Sequence, residues 1–117
     1  MRINVNNSTE LLQLTKEQKL LGQLQKQIKK DFISANVPLQ IPTDVELKAY
    51  VSIIMEKVYV LLMERFPDYL NLLYVIDVPE RDFKHIKITD TVEVAAQVTF
   101  LILKREYQKV WYKNTYQ

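Results

Sequence analysis

The residue types best suited to proton or metal chemistry gather in one short stretch, Asp77, Glu80, Asp82 and His85, which holds the only histidine of the 117 residues. An imidazole beside carboxylates can be oriented as a base or can join them around a metal, because it titrates near neutrality. The spacing weakens both ideas. Asp82 and His85 share a face only if the stretch is helical, and no nearby serine or threonine forms an evident relay. Further carboxylates, such as Glu56 and Glu64, would have to converge on the same point. Those two lie about two helical turns apart beside Lys57 and Arg65, and read more simply as the narrow solvent-facing side of an apolar helix. The paired Glu-x-x-His segments of helical two-metal sites are absent. Residues 77–85 therefore read first as a solvated loop, and no catalytic residue, metal ligand or cofactor is assigned. A small enzyme or metal-binding protein centred on this cluster ranks last among the functional readings.

Two basic stretches carry the other chemistry. Lys16, Lys19, Lys26 and Lys30 recur at steps of three, seven and four, so they line one outer face of a helix, and such a face can follow a phosphate backbone without reading bases. Near the end, Tyr107, Trp111 and Tyr112 alternate with Arg105 and Lys109. Rings and cations interleaved in this way suit single-stranded nucleic acid. The same residues also suit a helix with an inward aromatic face, or a protein interface anchored by large amphipathic side chains. Charge is partitioned to match: residues 1–35 and 104–117 each carry a net +3, and residues 36–103 a net −4, within a total of +2. Basic ends and an acidic middle can complement each other within the fold, between subunits or toward an anionic partner.

Composition removes several classes. With no cysteine, disulfide scaffolds, thiolate metal sites and cysteine nucleophiles are excluded, and a reducing compartment is permitted. Gly22 is the only glycine, whereas phosphate-cradling loops, dinucleotide fingerprints and nucleophile elbows need several. Residues 1–7 show no secretory pattern. The longest nearly uncharged apolar run, residues 94–103, is short of the roughly 20 residues that span a bilayer. The expectation is a cytoplasmic protein without integral membrane association.

The elements that would position these residues are helical. Thr15-Lys16-Glu17-Gln18 has the form of a capping box, and Leu21, Leu24, Ile28 and Phe32 recur at helical steps, predicting a helix over 15–35. Gly22 lies beside that stripe, and close helix approach is one reason to place a glycine there. Pro38 and Pro42 make 36–42 a stiff connector. Thr43-Asp44-Val45-Glu46 is a second capping box, opening a helix over 44–66 with a wide apolar face. Pro67 either begins a third helix, 67–76, or bends the second. Asp77 is expected to cap a brief turn, and His85-Ile86-Lys87-Ile88 to run extended. In the last segment Val92, Val94, Ala96, Val98, Phe100 and Ile102 fall at period two, as in a strand. Val92, Ala95, Thr99, Ile102, Leu103, Glu106 and Val110 fit a helical face instead. Unbroken length favours helix over 91–112, with a strand hairpin over 86–102 as the alternative.

The sequence thus predicts an all-α protein, a small irregular bundle of four helical segments (15–35, 44–66, 67–76 and 91–112) in a single domain, 1–117, with 1–9 and 114–117 loose. The second and last helices are apolar around much of their circumference, so homodimerisation through one of them is expected. The leading functional expectation is a non-enzymatic structural or adaptor protein that self-associates or docks a protein partner through apolar and aromatic helical surface. A nucleic-acid-binding accessory factor using the basic N- and C-terminal faces ranks second.

Overall fold

The computed structural model describes residues 7–116. Five α-helices, α1 (Ser8–Glu17), α2 (Leu21–Ser34), α3 (Leu47–Glu64), α4 (Phe66–Ile76) and α5 (Thr91–Thr115), pack with one 3-10 turn, Glu80–His85. The all-α bundle is as the periodicity predicts, and no strand occurs among the described residues. The 92–102 ambiguity resolves as helix. The extended segment before it finds a substitute for a strand partner: Gln97 donates to the Lys87 carbonyl (3.0 Å) and accepts from the Lys87 amide (2.9 Å).

The predicted first helix is two helices. Thr15 is no N-cap; it lies inside α1, fully buried, with its hydroxyl donating to the Leu11 carbonyl at 2.7 Å. The cap is Asn7, whose side chain accepts from the Glu10 amide. Ser8 and Thr9, expected to be loose, are helical. A straight helix over 8–34 would point Leu11, Leu12 and Thr15 roughly 150° away from Leu24, Ile28 and Phe32 at 100° per residue. The break at Lys19 (φ 61°) lets both sets reach one core.

Three helices end the same way. Lys19, Asn36 and Asp77 each adopt positive φ, and the next amide, of Leu20, Val37 or Val78, returns to a carbonyl five residues back (Thr15, Phe32, Leu73) at 3.0–3.2 Å. This C-terminal motif usually takes glycine, but here lysine, asparagine and aspartate take the position. Asp77 therefore closes α4 and does not cap the turn after it. The box at 43–46 does not form either: Glu46 stands at the α3 N-cap without a side-chain bond. Leu39, Ile41 and Val45 pack against the core and carry the extended path further than expected. Pro67 does open a helix, α4, which starts one residue earlier. Asp90 caps α5 as expected, accepting from Glu93 at 2.9 Å, and the helix continues through Asn114 and Thr115, which were expected to be loose.

α5 packs against each of the other four α-helices. Val98, Ile102 and Leu103 are fully buried against Ile54 and Val58 of α3 and the apolar stripes of α1, α2 and α4 in one core. Gly22 does not serve close packing, since a Cβ there would meet nothing within 4 Å. Most of both apolar circumferences, of α3 and α5, is covered within the chain. Apolar side chains are left uncovered in several places, among them Ile88 and Val92 around the start of α5, and on α4, where Phe66, Leu70 and Tyr74 are 50–84% exposed, with Met63 just before them.

Candidate functional site

α2 and α5 lie side by side, so lysines from both basic segments meet. Lys26 and Lys30 of α2 and Lys113 of α5 line a groove of about 190 Å³ floored by Val110, with Gln23 and Gln27 between them. One turn away, Tyr112 and Tyr116 stack at 5.6 Å, and Trp111 meets both rings edge-on at 5.3 and 6.3 Å. Tyr112 adjoins Lys113 in the last turns of α5, and Tyr116 follows at its C-cap.

Other members of the predicted surface are engaged elsewhere. Lys16 ends α1 and Lys19 forms the link to α2, both exposed. Arg105 turns to the end of α4, donating from Nε to the Asp77 carbonyl (2.9 Å) and pairing with its carboxylate (3.2 Å). Tyr107 is buried in the core and donates its hydroxyl to Gln18 at 2.5 Å, joining α5 to the α1–α2 link. Lys109 reaches inward to Asp31 at 2.8 Å and Glu106 at 3.1 Å.

The third charge of that set, Glu106, is 0% exposed. Neither of its carboxylate oxygens makes a hydrogen bond as an ionised group, since the Lys109 ammonium is close but poorly aligned. Burial, with the neighbouring Asp31 carboxylate, pushes Glu106 up to about 9 against the pull of Lys109. Protonated, it can donate to the neighbouring Asp31 carboxylate. Burial alone would raise Asp31, but hydrogen bonds from Glu106, Lys109 and Gln27 outweigh it and hold Asp31 below its usual value. A proton shared by two carboxyls under one lysine is the arrangement expected when like charges cannot both ionise in a dry interior. Tyr50, on the facing side of α3, is raised by burial and by Glu106.

The polar cluster does not assemble. Glu80 and His85 are exposed on the 3-10 turn, Asp82 is half-buried, and Asp77 is committed to Arg105. Among the described residues no three histidine, aspartate or glutamate side chains come together as a metal site. Glu56 and Glu64 are both exposed on α3; Glu56 borders a shallow cleft with Met55, Tyr59 and Val92.

A cleft of about 500 Å³ lies between α2 and the 38–43 connector, where Gly22, Lys26 and Lys29 face Leu39, Ile41 and Tyr50. Of the residues singled out for chemistry, only Lys26 borders it. Comparison of the chain with protein-family models, curated proteins and solved structures finds no match. No helix among the described residues is long and apolar enough to cross a membrane.

Proposed function

We propose that this is a non-enzymatic structural or adaptor protein that self-associates through α4. The observation that carries the proposal is the stripe Phe66, Leu70 and Tyr74, at steps of four on one side of an eleven-residue helix and at least half exposed. Together with Met63 it offers on the order of 400–500 Å² of apolar side-chain surface per subunit, so that a pair buries about 1,000 Å², the lower bound for a specific but reversible interface. The charged groups at the two ends of the stripe are paired within the chain, Arg65 with Asp68 at 2.6 Å and Asp77 with Arg105 at 3.2 Å, so the contact rests on the apolar side chains. About a two-fold axis perpendicular to α4 the two copies of the helix run antiparallel, which sets their dipoles in opposition. A cytoplasmic location accompanies this reading, supported by the cysteine-free composition.

Sedimentation velocity over micromolar to millimolar concentrations tests it. A monomer–dimer equilibrium is expected, and Leu70→Asp shifts it at least tenfold toward monomer while the melting temperature stays within a few degrees. A monomer at every concentration overturns the proposal.

A second reading, an anionic nucleic-acid partner, is favoured by one feature. Lys26, Lys30 and Lys113 converge on a groove beside the stacked Tyr112 and Tyr116, and like charges brought together repel unless an anion lies between them. Binding of labelled single-stranded RNA or DNA should then weaken steeply between about 50 and 200 mM salt and fall with the Lys26→Glu/Lys30→Glu double variant. No binding at the lower salt removes this reading.

A further inference from the structure

The chain's only glycine lies where no packing requires it. Gly22 sits in the first turn of α2 and a Cβ there would touch nothing within 4 Å; the open space beside it is the 500 Å³ cleft. That volume is within the usual range for small-molecule sites, roughly 300–1,000 Å³. One wall is the connector between Pro38 and Pro42, whose prolines fix its path. It turns Leu39 and Ile41, both partly buried, toward α2.

The polar groups around the cleft share one character. Lys26 and Lys29 border it, and no carboxylate does. Neither lysine forms an ion pair among the described residues. The α2 N-terminus opens at the same place without a capping side chain, which leaves its first amides and the positive end of the helix dipole unopposed. Tyr50 adds a donor: it lines the cleft, the residue is only 4% exposed, and its hydroxyl makes no hydrogen bond among the described residues.

We propose that this cleft binds a small organic anion with an apolar body, of the medium-chain carboxylate class. Leu39 and Ile41 cover the apolar part, and Lys26, Lys29 and the uncapped start of α2 hold the anionic head, with Tyr50 as a donor. The site involves no residue of α4 and stands whether or not the chain self-associates.

The test titrates the isotope-labelled full chain with sodium decanoate and follows the backbone amides by NMR. Saturable shifts are expected at residues 22–29, 39–43 and 50. Decanol, which lacks the charge, and acetate, which lacks the body, should each bind at least tenfold more weakly. Lys26→Gln with Lys29→Gln should weaken decanoate about tenfold. Gly22→Leu, whose side chain enters the open cleft, should abolish saturation while the protein melts at or above the wild-type temperature. The proposal is overturned by an absence of saturation, by shifts confined to 66–74, by decanol or acetate matching decanoate, or by a folded Gly22→Leu protein that binds normally.

Discussion

At Glu106 a single side chain sets a pH dependence for the whole fold. Its folded-state value of about 9 stands well above the usual 4.5, so between these two values the folded protein holds a proton that the unfolded chain releases. Its contribution is complete below about pH 4.5 and is progressively lost as pH rises toward 9. Asp31 acts in the opposite direction: its value is lowered from 3.8, so its contribution is present above that pH and lost as pH falls. Stability should therefore peak in mildly acidic solution and decline by on the order of 4 kcal/mol from pH 6 to 9. Glu106→Gln keeps the shape and removes the titration. Thermal melts should show wild type losing roughly 15 °C over that interval and the variant losing much less; equal slopes would refute the assignment. Glu106 was legible as an inward position, because it falls on the face of Ala95, Thr99, Ile102, Leu103 and Val110. Its partner was not. Asp31 lies 75 residues earlier in the chain, and pairing across that distance follows from how α2 lies on α5, which no local spacing encodes.

Among the elements, the ends of helices were less legible than their faces. The stripes of α2, α3 and α5 are where periodicity puts them, because burial of every third or fourth side chain is a local requirement. Two of the capping patterns failed for a tertiary reason. Thr15 is drawn into the core with Leu11 and Leu12, and the 43–46 box yields to the packing of Ile41 and Val45. The break at 18–20 carries neither glycine nor proline, so punctuation gave no sign of it. The reversal of apolar phase between Leu11–Leu12 and Leu24–Ile28 did. That junction holds a lysine in the left-handed region, a conformation that costs a side-chain-bearing residue roughly 1–2 kcal/mol. Lys19→Gly should accordingly raise stability by about 1 kcal/mol in chemical denaturation, after its greater freedom in the unfolded chain is deducted. Asp90→Ala removes the bond to the Glu93 amide and should lower stability by about 1 kcal/mol. If the glycine variant proves less stable than wild type, the left-handed link is not the source of strain.

For the molecule as a whole, stability and the proposed association fall on different surfaces. α5 touches every other α-helix, so a cavity at its centre is felt by all of them at once. Ile102→Ala, at a fully buried site, should cost about 2–5 kcal/mol. In a chain of this length that lowers the melting temperature by roughly 8–20 °C. Loss should be simultaneous by far-ultraviolet circular dichroism and by Trp111 fluorescence, because no helix retains a core of its own once α5 is loosened. Tyr74→Ala lies at the other extreme. Its ring is 84% exposed, and removal should change stability by no more than about 0.5 kcal/mol while weakening dimer formation several-fold. The two variants form a cross-test. If the α4 stripe is uncovered core surface with no occupant, both measurements on Tyr74→Ala remain at wild-type values. If it is an interface, association is lost alone, and Ile102→Ala measured below its melting temperature still dimerises.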